Sequence, residues 1–223
     1  MSDLAHTAPS GTRPRALVTA GPTEEPIDSV RFLGNRSSGR MGIAIAEALL
    51  SRGYEVILAL GPVRAPTPES LGTCSHATIE RFRTSRELES LLVRELPLAD
   101  LVVMAAAVAD YRPATTATGK LRREAGGMTL ELESVPDLLA TTAPYRKPGA
   151  RVFGFALEPR ERLEQSARAK LERKQLAGIV ANPLETMDAA DVDGTLFLRD
   201  GRVLSPGCAS KEAFARWLAE AIA

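Results

Sequence analysis

MGIAIAEALLSRGYEVILAL, residues 41–60, predicts a helix that leads directly into a buried strand. Apolar residues recur from Met41 to Leu49 at the spacing of one helical face, and Gly53 stands where helices commonly end. The run from Glu55 to Leu60 is short and almost wholly apolar, which is typical of a strand covered on both faces of a parallel sheet. The stretch therefore predicts the repeating unit of an α/β fold.

The same alternation continues on both sides of this stretch. Thr84 and Glu87 have the spacing of a capping box ahead of a leucine-rich helix, and another helix is expected from about Pro159 to Leu176. Further segments are expected as strands at Ala16–Ala20, Asp100–Ala107, Arg151–Leu157 and Gly178–Asn182, and as a polar hairpin of Thr195–Leu198 and Arg202–Leu204 around Asp200-Gly201. The pattern predicts a three-layer, Rossmann-like α/β domain with a mostly parallel sheet and a small β-hairpin extension.

Composition limits the classes of partner. The 223 residues include 28 basic and 28 acidic side chains, so no overall field favours nucleic acid or an anionic membrane. Cys74 and Cys208 show no framework spacing, which favours a reduced, cytoplasmic protein. Residues 1–14 lack the apolar core of a secretory signal, and we expect them to form a flexible tail before a single domain at 15–223.

Ligands of such sheets bind beyond the carboxyl ends of the strands, so the loops there are the candidate sites. The loop after the first strand, TAGPTEEPID at 19–28, lacks the glycine fingerprint of nicotinamide-binding folds. Its acids, Glu24, Glu25 and Asp28, leave two interpretations open: a carboxylate near a bound cation, or a solvated rigid turn.

The segment NRSSG, residues 35–39, comes directly before the helix of the opening stretch. Helix starts present unpaired N–H groups, and Ser37, Ser38 and Gly39 are small enough for an oxyanion to approach them. Arg36 adds positive charge and Asn35 an amide donor, which favours an anion site. The alternative is a serine cap and ordinary turn residues.

Two later segments carry groups suited to a nucleotide. AAAVADYRP, residues 105–113, leaves room for a flat ring beside its alanines, with Asp110 near its edge, although alanine also suits close helix packing. Lys120 lies in a segment that we expect to be mobile, and Lys170 and Lys174 are four residues apart on one helix flank. Lysines of this kind either neutralise a polyphosphate or only solubilise the surface.

Five segments in this order resemble the phosphopantothenoylcysteine synthetase family of coenzyme A biosynthesis. They are TAGPTEEPIDSVRFLGNRSSGRMG, MAAAVADYRP, SVPDLLA, GFALE and AKLERKQLAGIVAN. The resemblance implies that a nucleoside triphosphate activates the carboxylate of 4′-phosphopantothenate as an acyl-nucleotidyl anhydride. The amine of cysteine then displaces the nucleotide, giving phosphopantothenoylcysteine, a nucleoside monophosphate and pyrophosphate.

The resemblance also implies residue roles. Asn35 matches the asparagine needed to bind and turn over the intermediate, with Arg36, Ser37, Ser38 and Gly39 as the substrate and anion turn. Lys120 matches the catalytic lysine of the family's mobile loop. The nucleotide-binding segments match at Met104, Ala105, Ala106, Asp110, Lys120, Val135, Pro136, Asp137, Leu138, Phe155, Lys170 and Lys174. This sequence differs from the usual residues of the family at Val135, Pro159 and Pro183. These differences affect the contacts expected with the ribose and phosphates.

From the bacterial form of these motifs we expect CTP rather than ATP, Mg²⁺ on the phosphates, and a homodimer. Only a short tail precedes the first strand, so we expect a free-standing synthetase without the flavin-binding decarboxylase domain, and hence no flavin. Two other classes remain open: a nicotinamide-dependent reductase, which lacks support from a glycine fingerprint or a YxxxK pair, and a non-catalytic nucleotide-binding regulator.

Overall fold

The structure, a computed structural model, describes residues 12–122, 126–186 and 191–223. The strands are β1 Arg15–Ala20, β2 Glu24–Pro26, β3 Phe32–Gly34, β4 Glu55–Leu60, β5 Ala77–Arg81, β6 Leu101–Met104, β7 Tyr111–Pro113, β8 Leu132–Ser134, β9 Arg151–Glu158, β10 Gly178–Pro183, β11 Asp191–Val192, β12 Thr195–Leu198, β13 Val203–Leu204 and β14 Ala209–Ser210. The helices are α1 Arg40–Ser51, α2 Glu69–Thr73, α3 Ser85–Glu95, α4 Leu138–Thr141, α5 Leu163–Arg173 and α6 Lys211–Ile222.

The main sheet has eight strands in the order β13-β12-β10-β9-β6-β1-β4-β5. The strands from β10 to β5 are all parallel, whereas β12 and β13 pair antiparallel at one edge. The order in which strands are added reverses between β1 and β6: β4 and β5 follow outward from β1 on one side, and β9 and β10 follow outward from β6 on the other. The predicted Rossmann-like sheet and its hairpin extension are confirmed.

Apolar side chains on the two faces of the sheet form two cores. One core includes Ile45 and Leu49 of α1 and Phe214 of α6, and the other includes Leu88 of α3 and Leu171 of α5. Each amphipathic helix thereby covers one face of strands that are apolar on both sides. The sheet therefore lies between two layers of helices, which are the three layers that the sequence predicts.

The element boundaries differ from the predicted ones in two places. The strand predicted at Asp100–Ala107 ends at Met104, because the amide of Ala106 donates to the side-chain hydroxyl of Thr19 in β1 instead of to a backbone carbonyl. The helix expected from about Pro159 begins as a 3-10 turn and is α-helical only over Leu163–Arg173. Proline keeps the residue before it extended, so β9 continues to Glu158.

The hairpin and the tail also differ in detail from expectation. Leu196 to Leu198 are buried, so the expected polar hairpin is half apolar and extends the main core. Most of the expected tail lies outside the described residues, but Arg13 and Pro14 already bond to the turn before β4. Both cysteines are free thiols. None of the helices in the described ranges combines the length and apolar character needed to cross a bilayer.

Candidate active site

The loops after β1 and β6 meet at the point where the order of strand addition reverses. Pro22 and Ala107 form a parallel bridge, and the amide of Ala107 donates to the carbonyl of Gly21 at 2.9 Å. Loops from neighbouring parallel strands diverge at such a point and leave a crevice between them. The sequence motifs of 19–42 and 104–113 therefore share one end of the sheet.

Two buried threonines hold the loop that follows β6. The hydroxyl of Thr19 accepts from the amide of Ala106 at 3.1 Å, and that of Thr23 accepts from the amide of Ala109 at 3.0 Å. Both threonines are fully buried. Sequence reasoning missed them, although Thr19 is the one polar residue in the run Ala16–Ala20 and thus a visible signal.

Helix α1 begins without a side-chain cap. Its N-cap is Gly39 in a left-handed conformation, with φ of 72°, and the first intrahelical bond is donated by Ile43. The serine-cap alternative is therefore not realised, since Ser37 only accepts a long 3.4 Å bond from the amide of Gly39. The amides that begin the helix face a cavity of about 140 Å³. That cavity is lined by Arg36, Ser37, Ser38, Gly39, Arg40, Met41, Gly42, Ala105, Leu157, Asn182, Val192 and Lys211.

A second and larger cleft, of about 490 Å³, lies on the other side of Leu157. We call it the nucleotide cleft, after the residues that were expected to bind a nucleotide. Of the expected nucleotide residues, Met104, Ala106, Asp110, Val135, Pro136, Asp137, Leu138, Phe155, Lys170 and Lys174 line it. Ala105 lines the smaller cavity instead. Leu157 lines both cavities, so the anion turn and the nucleotide cleft adjoin.

The two cleft lysines are held by different carboxylates. Lys170 Nζ lies 2.6 Å from Glu158 Oε1, and Lys174 Nζ lies 2.9 Å from Asp137 Oδ2. The hydrogen bond from Lys170, aided by one from the hydroxyl of Ser166, lowers the pKa of Glu158 below its ordinary value. Two positive charges thus stand at fixed points of the cleft instead of moving freely in solvent.

Asn35 links the anion turn to the loop after β6. Its Nδ2 donates to the carbonyl of Val108 at 2.9 Å and to that of Ala107 at 3.5 Å. The side-chain amide is exposed at this junction, and its oxygen has no protein donor among the described contacts. Asn35 lines neither the smaller cavity nor the nucleotide cleft, but Arg36 beside it lines the former and its acceptor Val108 lines the latter.

Lys120 lies apart from the nucleotide cleft. It lines another cavity, of about 750 Å³, with Arg31, Leu121, Arg122 and Gly126 among its neighbours. In this conformation the structure does not bring Lys120 together with the other expected nucleotide residues. Its loop is exposed and lies against the turn that contains Asp28 and Arg31.

The acids of the β1 loop have structural partners. Glu25 is buried and accepts from the amide of Ser85 at the start of α3, while Glu24 pairs with Arg83. Asp28 accepts from Arg31 and two nearby backbone amides. In the described part of the chain, no group of three or more histidine, cysteine or acidic side chains is arranged to hold a metal ion.

Residues 12–223 match the family described as the DNA/pantothenate metabolism flavoprotein C-terminal domain. The chain belongs to this family. The match covers nearly the whole chain and confirms the resemblance to phosphopantothenoylcysteine synthetases.

Two relatives and one solved structure of this family illustrate the likeness. The chain is 37% identical over 207 residues to the coenzyme A biosynthesis bifunctional protein CoaBC of Vibrio cholerae serotype O1, covering 90% of this chain and 50% of that protein. It is 40% identical over 172 residues to a cysteine/cysteine sulfinic acid decarboxylase of an unknown prokaryotic organism, covering 77% and 46%. The crystal structure of the C-terminal domain of CoaBC is 34% identical with a TM-score of 0.76, covering 94% and 93%. The chain spans about half the length of the curated relatives it matches.

Proposed function

We propose that this chain is a phosphopantothenate–cysteine ligase that uses CTP. The observation that carries the proposal is the contact between two cavities at Leu157: one is cationic and lies at a helix start, and the other holds the expected nucleotide residues. A ligase of this kind must bring a carboxylate within reach of an α-phosphate, so adjoining sites for an acid and a nucleotide suit it. Membership of the family supports the same reaction.

The proposed reaction has two steps. A carboxylate oxygen of 4′-phosphopantothenate attacks the α-phosphorus of CTP, and pyrophosphate leaves. The amine nitrogen of cysteine then attacks the acyl carbon, loses a proton, and displaces CMP. In this proposal Asn35, which bonds to Val108 of the nucleotide cleft, binds the anhydride, and Lys120 moves from its own cavity to stabilise charge that develops on the phosphates.

Magnesium is part of this proposal as a companion of the triphosphate. Mg²⁺ favours oxygen ligands and is commonly held by one or two carboxylates together with substrate phosphates. Asp110 is an exposed carboxylate that lines the nucleotide cleft, so the donor present fits such an ion. The ion would neutralise phosphate charge. The reaction itself requires no flavin, and flavin absorbance in the purified protein would contradict that part of the proposal.

A homodimer also belongs to the proposal. Phe32 of β3, Tyr111 of β7 and Leu132 of β8 are each about half exposed on the two small ribbons beside the main sheet. Apolar side chains at such exposure are suited to a subunit contact. Sedimentation equilibrium should give twice the chain mass, and Phe32→Ser should weaken the assembly. A wild-type monomer at micromolar concentration would contradict it.

The decisive experiment measures pyrophosphate release by the purified protein with phosphopantothenate, comparing CTP with ATP and including or omitting cysteine. We expect release with CTP, and amide formation only when cysteine is added. A non-catalytic regulator would bind CTP without releasing pyrophosphate. Asn35→Ala should let the acyl-nucleotidyl species accumulate, whereas equal loss of both half-reactions would contradict its assigned role.

Lys120→Gln tests the first step separately. Removing one preorganised charge contact from a site of this type costs roughly 10²–10³ in rate, so pyrophosphate release should slow by about that factor. Arg202→Gln, on the distant hairpin, changes the charge equally and serves as the control. A near-normal rate for Lys120→Gln would remove this lysine from the proposal.

A further inference from the structure

The loop that carries Lys120 is tied to one turn of the chain. We name residues 116–121 the lysine loop and residues 26–31 the acidic turn. Their hydrogen bonds run from Thr116 Oγ1 to Pro26 O (3.0 Å), Ala117 N to Ile27 O (3.0 Å), Ser29 N to Gly119 O (3.4 Å), Leu121 N to Asp28 Oδ2 (3.1 Å) and Arg31 Nη2 to Leu121 O (3.0 Å). The last two bonds hold both the amide and the carbonyl of Leu121, the residue next to Lys120.

Asp28 is the centre of these contacts. Its side chain is fully buried, and Oδ1 accepts from the amides of Val30 and Arg31 at 2.8 and 2.7 Å. Its Oδ2 accepts from Arg31 Nε at 3.0 Å and from the amide of Leu121 at 3.1 Å. The Arg31 side chain and these amides hold the pKa of Asp28 well below its usual range. The carboxylate is therefore charged at any pH at which the protein works.

Apart from its hydrogen bonds to the acidic turn, the lysine loop has few contacts that hold it. Its side chains at 116 and 118–120 are exposed, and Gly119 is in a left-handed conformation with open space around it. A segment with few apolar contacts depends on hydrogen bonds for its position. The Asp28 bonds to Val30 and Arg31 would by themselves complete the acidic turn, so the bond to Leu121 is an addition that reaches the lysine loop.

We propose that Asp28 is a positioning residue that fixes the point from which Lys120 reaches the reacting phosphates. The inference rests on the proposed function, in which Lys120 acts during nucleotidyl transfer. With Asp28 in place, the amide of Leu121 is held, so the loop moves about an anchored end and Lys120 samples fewer positions. Without the Asp28 carboxylate, the end of the loop next to Lys120 loses its amide bond, and Lys120 occupies the reacting position less often.

The position of the loop is tested without activity by native trypsin digestion, which cleaves after Lys120. Cleavage of a native protein reports the population of locally open chain. Asp28→Asn should raise the rate at the Lys120–Leu121 bond about tenfold relative to cleavage after Arg168 in the middle of α5, which requires that helix to unfold. Asp200→Asn is the matched control, because Asp200 makes the same kind of carboxylate–arginine turn with Arg202 on the distant hairpin.

Thr116→Val is a milder second variant, since it removes one bond of the exposed loop and leaves the buried carboxylate intact. It should raise cleavage after Lys120 by a smaller factor. Unchanged cleavage at this bond in both Asp28→Asn and Thr116→Val would overturn the proposal, even if Asp28→Asn lowers the overall stability.

The catalytic consequence is tested by a double-mutant cycle on pyrophosphate release. Asp28→Asn should lower kcat by about ten- to a hundredfold, the cost of a misplaced group, and change the KM for CTP by less than about twofold. In the Lys120→Gln background the same change should have no further effect, because residues that act as a unit are not additive. An equal slowing in both backgrounds would show that Asp28 acts on the fold and not through Lys120.

The two proposals fail in different ways. A normal rate for Lys120→Gln would remove the catalytic lysine from the proposed function and, with it, the catalytic part of the role of Asp28. If Lys120→Gln is slow but Asp28→Asn releases pyrophosphate normally, the proposed function stands and the positioning role is overturned.

Discussion

The ammonium nitrogen of Lys174 lies 2.9 Å from Oδ2 of Asp137, so this lysine of the nucleotide cleft already has a carboxylate partner. The Lys174 side chain is only 19% exposed, whereas that of Asp137 is 40% exposed. A phosphate that binds Lys174 must therefore share it with Asp137. The pair orients the ammonium but also sets a negative charge beside the expected triphosphate.

Because of this pair, we expect the substitutions of Lys174 and Asp137 to have opposite effects on CTP affinity. Lys174→Gln should weaken CTP binding about tenfold, because it removes a cation and leaves the Asp137 charge to repel the phosphates. Adding Asp137→Asn should recover part of that loss. Titration calorimetry at low and high salt measures both effects, which should shrink as salt screens the charges.

Arg168→Gln is the matched control for Lys174→Gln. Arg168 lies in α5, whose C-cap is Lys174, and its substitution removes the same charge, but its carboxylate partner is Glu164, outside the cleft. Its substitution should leave CTP affinity within about twofold. If Asp137→Asn fails to recover any affinity in the Lys174→Gln background, the two charges do not compete for the nucleotide.

The Glu158–Lys170 pair predicts a pH dependence of stability. Lys170 lowers the pKa of Glu158 in the folded protein below its ordinary value of 4.5. Its contribution to the free energy of unfolding is therefore fully present above that value and is lost as the pH falls through the lowered folded pKa. Glu158→Gln should lower the free energy of unfolding by about 1 kcal/mol at pH 7, and this loss should become smaller toward pH 3.

Urea unfolding at a series of pH values measures that difference. Glu164→Gln, which breaks an exposed pair one turn apart on α5, should cost less than about 0.5 kcal/mol at every pH. A penalty for Glu158→Gln that stays constant from pH 7 to pH 3 would show that the Glu158 charge does not stabilise the fold.

Because the hydroxyl of Thr19 is buried and accepts a hydrogen bond, we expect Thr19→Val to lower the free energy of unfolding. Valine keeps the shape but leaves the amide of Ala106 without its acceptor, which should destabilise the protein by about 1–3 kcal/mol. Because that amide lies in the loop lining the nucleotide cleft, the KM for CTP should also rise. Thermal unfolding and steady-state kinetics test the two effects.

Thr142→Val is the comparison for Thr19→Val. Thr142 is also buried, but its hydroxyl donates to the carbonyl of Leu138 one helical turn back, so valine leaves no amide unpaired. Thr142→Val should lower the free energy of unfolding clearly less than Thr19→Val does. Equal costs at both positions would mean that the loss at Thr19 comes from general burial and not from the loop amide.

Gly42 predicts a steric effect at the contact between α1 and β1. A Cβ atom at Gly42 would lie 2.5 Å from Cβ of Ala20 and 2.9 Å from the carbonyl oxygen of Thr19. Gly42→Ala should therefore shift the start of α1 and destabilise the fold by about 1–3 kcal/mol. Gly72→Ala, where a Cβ has open space, is the control, and both are compared by urea unfolding. A neutral Gly42→Ala would show that the helix moves at little cost.

Much of the candidate site was predictable because it depends on local sequence. The spacing of Thr84 and Glu87 predicts a capping box, and that box is formed. The motifs place Asp110 in the loop after β6, Phe155 within β9 and Lys174 at the C-cap of α5, and these neighbouring elements of the α/β fold together line one cleft. The place of Lys120 was not predictable, because it depends on bonds to residues that lie some ninety positions earlier in the chain.

By itself, the sequence determined the alternation of strands and helices, the two-sided burial of the sheet and the family of the chain, because periodicity and motifs are local properties of the chain. Tertiary structure alone decided that Gly39 and not a serine begins α1, that Thr19 and Thr23 hold the loop after β6, and that Asp28 anchors the lysine loop. The physical reason is that a buried polar group must find a partner, and only the folded chain determines which distant group supplies it.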